Sequence, residues 1–334
     1  MNTFVTFRVI FVSALMALLI GPLAYWVTQK LDWTDDPKAA SHKKHKSPMP
    51  VAGGLVLFTA IVIGSLIFNV YRSPQVMAIL LSSAIIFIFG LWDDLKNISP
   101  FRKLFGQLLA TAVLIYMGVH VRLFHEVWLN YLITIVWVVG ITNAFNFVDS
   151  MDGLAIGLAE IAAAFFMLVT IDSGQLELSM ISTILVGVCL GAFFYNATPA
   201  IFFLGDSGAQ YLGFILAALG IAYNPLGFER LASWYVPILL VGVPIFDMSL
   251  VVFSRLRRKK PIYQANLDHT YHRLLILGIK SNRAVLSMHM VAILLGCLAF
   301  IALPLPPLIA NVIFGAVLLT GGIVILLLDI KYEI

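Results

Sequence analysis

Charge is scarce in these 334 residues: Asp, Glu, Lys and Arg together make up 11%, against roughly 25% in an ordinary soluble domain. With 61% apolar residues and a mean hydropathy of +0.98, that shortage excludes a soluble protein built on one core. Cysteine is scarcer still. Cys189 and Cys297 are the only two, and both lie inside apolar runs and read as packing residues. A disulfide framework, a zinc knuckle and an iron–sulfur cluster are therefore excluded. Segments of about 10 residues that alternate apolar and polar, the mark of a transmembrane barrel, are also missing. So are a long linker, a low-complexity tract and an internal repeat, and the chain reads as one domain over residues 1–334.

What is present is a series of apolar runs, each near the roughly 20 residues that a helix needs to cross a bilayer. They fall at 4–27, 51–71, 75–92, 104–119, 131–148, 154–171, 178–195, 209–223, 234–253, 285–303 and 308–328. The pattern predicts an all-α, polytopic membrane bundle of about eleven helices. The first run ends in Gly21-Pro22-Leu23-Ala24-Tyr25-Trp26 without a small-residue cleavage motif, and reads as a retained helix. Of the 21 Lys and Arg, 16 fall in odd-numbered loops and three in even-numbered ones. By the positive-inside rule the odd loops are cytoplasmic, the N-terminus is outside and the C-terminus inside. Topology thus accounts for the net charge of +4, which in a soluble chain would hint at nucleic acid.

Five polar clusters, far apart in sequence, then meet one membrane face. Asp93-Asp94 opens the third loop, where two repelling carboxylates want a proton or cation nearby or else cap the next segment. Asn143, Asn146, Asp149 and Asp152 step by three, so they wind round a regular helix and cannot share one face; Gly153 marks where the helix has opened. Gly205-Asp206-Ser207-Gly208 reads either as a capped turn or as a helix start whose free amides suit a diphosphate, with a carboxylate for Mg²⁺. His269, His272 and Arg273 form a cation cluster suited to phosphate oxygens, with metal ligation by the two histidines as the less supported reading. Residues 42–46, His-Lys-Lys-His-Lys, admit the same two readings or a solvated basic face.

Taken together and in this order, the motifs resemble the polyprenyl-phosphate N-acetylhexosamine-1-phosphate transferase superfamily, over nearly the whole chain. The resemblance rests on Lys46 followed by Pro50-Val51-Ala52-Gly53-Gly54, on Asp93-Asp94, and on Asn143 to Leu154. It continues through Asn196 to Gly208, Pro244-Ile245-Phe246-Asp247 and the histidine-bearing loop. Eleven spans resemble the branch that moves N-acetylglucosamine phosphate. The phospho-MurNAc-pentapeptide translocase branch, the alternative, carries a Thr-Pro-Thr-Met-Gly-Gly string and three consecutive histidines, which this chain lacks.

The resemblance implies a reaction in which a polyprenyl (undecaprenyl-like) phosphate attacks the sugar-bearing phosphorus of a UDP-N-acetylhexosamine and releases UMP. It further implies a Mg²⁺ cofactor, replaceable by Mn²⁺, a plasma-membrane enzyme facing the cytoplasm, and a homodimer. By motif position Asp206 and Asn146 would bind the metal. Asp93 would orient or deprotonate the lipid phosphate, supported by Asp94 and Asp149. Lys46, Asp152, Asn196 and Phe203 would form the uridine pocket, and His269, His272 and Arg273 would hold the diphosphate or sugar. Asp247 would belong to the same polar network. The chain departs from the pattern at Tyr271, where a histidine is usual, at Ala265-Asn266-Leu267-Asp268, and at Val51, where a basic residue is common. A transporter, the rival of another class, would show paired broken helices, repeat symmetry and charge at the midplane. A structural membrane scaffold would need no converging Asp, Asn and His.

Overall fold

The computed structural model describes residues 1–35, 48–225, 233–260 and 268–331. Its helices are α1 (Thr3–Lys30), α2 (Gly53–Ile67), α3 (Pro74–Lys96), α4 (Pro100–Tyr116), α5 (Val127–Val148), α6 (Leu154–Asp172) and α7 (Leu176–Asn196). They continue as α8 (Gly205–Ala222), α9 (Val236–Leu240), α10 (Gly242–Arg257), α11 (Thr270–Ile276), α12 (Ser281–Ala302) and α13 (Pro307–Lys331). Two short strands, β1 (Thr34–Asp35) and β2 (Met49–Pro50), pair antiparallel. The protein is nearly all-α, and among the described residues seven helices are long and apolar enough to cross a membrane. It is a multi-pass membrane protein.

Each apolar run is helical, with three corrections. Residues 234–253 are not one helix: Val241 separates α9 from α10, because Pro244 has no N–H to bond back to Leu240 and the ladder breaks there. Asp93 and Asp94 do not open a loop; they lie in the last turn of α3, which ends only where Asn97 takes a left-handed conformation (φ 46°). Lys103, counted above as a loop charge, lies in the first turn of α4, begun by Ser99 and Pro100.

Packing follows side-chain size. On α1 the buried residues Val9, Ser13, Ala17, Gly21, Ala24 and Thr28 recur every three or four positions, so one narrow seam of small side chains faces inward. That seam meets α7, where a Cβ on Gly187 would lie 2.4 Å from the Ile10 carbonyl oxygen. Phe4, Phe7, Phe11 and Leu19 on the opposite face are exposed, as a lipid-facing surface must be. Only 11% of the apolar window of α13 is buried, against 72% of that of α7, which makes α13 peripheral and α7 central. Cys189 is buried but Cys297 is exposed on α12, so only the first is a packing residue.

Candidate active site

Helix α8 begins in the middle of the bundle, and its start organises the polar residues. Gly205 has φ +72°, and a Cβ there would lie 2.2 Å from Val51 Cγ1 and 2.7 Å from Asp94 Oδ2, so no other residue fits. The two amides that open α8 are not free. Asp94 reaches across from α3 and accepts from Asp206 N (2.7 Å), Ser207 N (3.0 Å) and the Ser207 hydroxyl. Of the two readings of this string the capped turn holds: Asp94 is the cap, and these amides hold its carboxylate. The Gly53-Gly54 pair that opens α2 lets that helix start approach the same point closely. Gly54 N donates to the Leu204 carbonyl (3.1 Å), and a Cβ on Gly54 would lie 2.1 Å from Ser207 Oγ.

The residue before it on α3, Asp93, is buried and accepts from Ile98 N (2.8 Å) and from Lys103 Nζ. Lys103 also donates to Asp206 Oδ2 (3.3 Å), so one ammonium joins carboxylates of α3 and α8. Behind it Gln210 Nε2 donates to Asp206 Oδ1 (3.5 Å), and Gln107 Nε2 donates to Gln210 Oε1 (3.0 Å). Asn143 Nδ2 donates to Gln107 Oε1 (2.9 Å), while the Asn146 side chain bonds Asp206. Asn143 is thus a neighbour of the network, and Asn146 touches the carboxylate itself.

The segment after α5 opens as expected. Asp149 caps α5 and Gly153, with φ +74°, starts α6. Asp149 lies in this connection, and burial, with the negative charges of Asp206 and Asp152 nearby, pushes its carboxyl up to about 7. The Asp152 carboxylate accepts from Ala200 N (3.2 Å). Asn196 is 3% exposed; its Oδ1 accepts from Gly153 N and its Nδ2 donates to the Phe202 carbonyl, both at 3.2 Å. Asn196 is therefore a brace between two loops. Phe203 N donates to the Pro50 carbonyl (2.9 Å), which lays β2 beside the entry to α8. Lys46 and Ala265 to Leu267 lie outside the described residues.

The histidine cluster divides. His269 Nδ1 pairs with Asp247 Oδ2 (2.8 Å), Thr270 N donates to Asp247 Oδ1 (2.6 Å), and the His269 ring meets the edge of Phe147 at 6.1 Å. Phe147 adjoins Asn146, so His269 approaches the α5 end of the carboxylate cluster. His272 lies beside it, ring centroids 6.1 Å apart. Tyr271, in place of a histidine, is buried with its hydroxyl on Ser281 Oγ (2.8 Å), and packs α11 on α12. Arg273 is 2% exposed and donates to the Asp268 carbonyl (2.9 Å), the Leu328 carbonyl (3.1 Å) and Asp329 Oδ1 (3.2 Å). It holds α11 to α13.

Among the described residues no three His, Cys, Asp or Glu side chains gather as a dedicated metal cage. Mg²⁺ asks for less, one or two carboxylates with water and substrate phosphate completing the shell, and Asp206 with Asn146 fits that set. Asp93, Asp149 and Asp206 share the neighbourhood, and Lys103 is the cation their contacts include. A surplus of negative charge is what a divalent cation would relieve. Sequence reasoning missed Lys103, Gln107 and Gln210 as members of the site. For Lys103 a signal existed: a lysine in the first turn of a helix opposes the helix dipole and wants carboxylates.

The glycosyl transferase family 4 profile matches residues 76–224, a stretch holding Asp93, Lys103, Asn146, Asp149 and Asp206. A probable undecaprenyl-phosphate N-acetylglucosaminyl 1-phosphate transferase of Bacillus subtilis (strain 168) is 31% identical over 302 residues, covering 87% of this chain and 83% of its own. A decaprenyl-phosphate N-acetylglucosaminephosphotransferase of Mycobacterium tuberculosis (strain ATCC 25618 / H37Rv) is 31% identical over 283 residues, 74% of this chain and 70% of its own. A phospho-N-acetylmuramoyl-pentapeptide-transferase of Lacticaseibacillus paracasei is 27% identical over 228 residues, 62% of this chain and 70% of its own. A membrane transferase is thus the class that fold and site define. The chain belongs to glycosyl transferase family 4, among the polyprenyl-phosphate N-acetylhexosamine-1-phosphate transferases.

Proposed function

We propose that the protein transfers N-acetylglucosamine 1-phosphate from UDP-N-acetylglucosamine to a polyprenyl phosphate, releasing UMP and starting a cell-envelope polysaccharide. The observation that carries this reading is the joining of Asp93, Lys103 and Asp206 at one end of three helices, in a chain alike over most of its length to N-acetylglucosamine-phosphate transferases. The 16 to 3 division of basic residues supports a cytoplasmic site, eleven crossings and an external N-terminus.

Both substrates are anions, so the site must offset their repulsion. Bound Mg²⁺, held by Asp206 and Asn146, would supply a compact positive charge for the transferring phosphoryl group, and Mn²⁺ would serve in its place. Asp93 orients the lipid phosphate and takes up its remaining proton. Lys103 turns its ammonium to the phosphates, and Asp94 keeps α8 in register beneath them. His269 and His272 face the diphosphate or sugar, while Phe203, Asp152 and Lys46 serve the uridine. An oxygen of the lipid phosphate attacks the sugar-bearing phosphorus directly, and the bond to UMP breaks. The lipid phosphate is already anionic at neutral pH, so positioning provides most of the gain and no aspartyl intermediate is required.

The test is a panel of UDP-sugars offered with one polyprenyl phosphate to purified enzyme, with lipid product read by mass. UDP-N-acetylglucosamine should be consumed with release of UMP. Preference for UDP-MurNAc-pentapeptide, or turnover of no UDP-sugar, would sink the reading.

A further inference from the structure

The last helix carries a carboxylate that the reaction does not use. Asp329 is 1% exposed and accepts from three guanidiniums: Arg257 Nε, Arg258 Nη2 (3.1 Å) and Arg273 Nη1 (3.2 Å). Arg258 continues to Asp268 Oδ1 (3.4 Å), and Arg255 Nε meets Asp268 Oδ2 at the same distance. Arg273 Nε closes the ring on the Asp268 carbonyl (2.9 Å). The cluster therefore binds the end of α10, the start of α11 and the end of α13 into one clamp.

Its place in the chain gives the clamp a consequence. Asp268, held by two arginines, directly precedes His269, whose ring is fixed on its other side by Asp247. The histidine is thus set from both directions, by the first half of α10 through Asp247 and by α13 through the arginines. Asp329 is the only acidic residue of α13, which is otherwise largely exposed apolar surface. A buried carboxylate facing three guanidiniums also resists substitution: removing its charge leaves the guanidiniums to repel one another in a poorly solvated place.

We infer that Asp329 is a positioning residue for the nucleotide-sugar side of the site, acting through Asp268 to hold His269 at its working place. The inference rests on the proposed role of His269 toward the diphosphate or sugar. Misplacing a substrate-holding group by about 1 Å costs on the order of 10²-fold in rate.

The experiment compares full-length wild type, Asp329→Asn, Asp329→Glu, His269→Ala and the Asp329→Asn/His269→Ala double variant, each in detergent with thermal melting as the folding check. Wild-type turnover of UDP-N-acetylglucosamine tests the functional reading by itself, and its absence would fail that reading alone. Given that turnover, Asp329→Asn should raise KM for the UDP-sugar by about tenfold or more and leave KM for polyprenyl phosphate within about twofold. Asp329→Glu should restore most of the loss, and the double variant should be no worse than His269→Ala, since both act at one group. If Asp329→Asn does not fold, Arg257→Gln, which removes one of the three contacts at the more exposed guanidinium, carries the same KM comparison. An unchanged KM for the UDP-sugar, an equal change for both substrates, or additive effects in the double variant would overturn the inference.

Discussion

Replacing Lys103 by Met removes the ammonium that Asp93 and Asp206 share and keeps the aliphatic bulk of the side chain. At 3.3 Å from Asp206 Oδ2, a unit charge contributes about 5 kcal/mol at an effective dielectric of about 20. The Lys103 side chain is 26% exposed, so screening and desolvation reduce this to the 1.5–3 kcal/mol or so of a charge-assisted hydrogen bond. Two opposite consequences follow. Turnover should fall about 10²-fold, because a cation aimed at the transferring phosphoryl group is gone. The Mg²⁺ concentration for half-maximal turnover should fall as well, by roughly tenfold for each 1.4 kcal/mol, because the cation that competes for Asp206 has been removed. The assay is UMP release against a Mg²⁺ titration at saturating substrates, with a melting curve to show a folded variant. A Mg²⁺ requirement that is unchanged or higher, with turnover within about twofold of wild type, would refute the placement of Lys103 between the two carboxylates.

Asp206→Asn keeps shape but removes charge, and should lower turnover by about 10²-fold or more while the enzyme stays folded; near-normal turnover at saturating Mg²⁺ would remove Asp206 from the metal site. Gly205→Ala forces a side chain onto a backbone at φ +72° with Val51 2.2 Å away, so the variant should lose at least about 1–3 kcal/mol, read as a shorter half-life on warming in detergent. In a background without Cys189 and Cys297, a cysteine at the exposed Ser99, between α3 and α4, should resist an impermeant thiol reagent in intact cells. One at the exposed Glu126, between α4 and α5, should react, and the reverse pattern would invert the topology. Labelled UMP should not enter UDP-sugar in fully delipidated enzyme; exchange abolished by Asp93→Asn would instead make Asp93 a covalent nucleophile.

Composition and run length alone determined that the chain is a helical membrane protein and where each apolar segment lies, because lipid leaves the backbone no alternative to internal hydrogen bonding. The order of short polar motifs likewise disclosed the family, since those residues are costly beside a bilayer and persist for function. What each residue does was decided by tertiary contacts. Only the packing of α3 against α8 lets the two oxygens of Asp94 cap another helix 112 positions further along the chain. Arg273 meets Asp329, 56 residues later, only because α13 packs beside α11. Lys103 was read as a topology charge, and only the meeting of α3, α4 and α8 made it the link between two carboxylates. A charged side chain's role depends on which opposite charge or donor comes within about 3 Å of it, and that partner is chosen by how helices pack, which local sequence does not record.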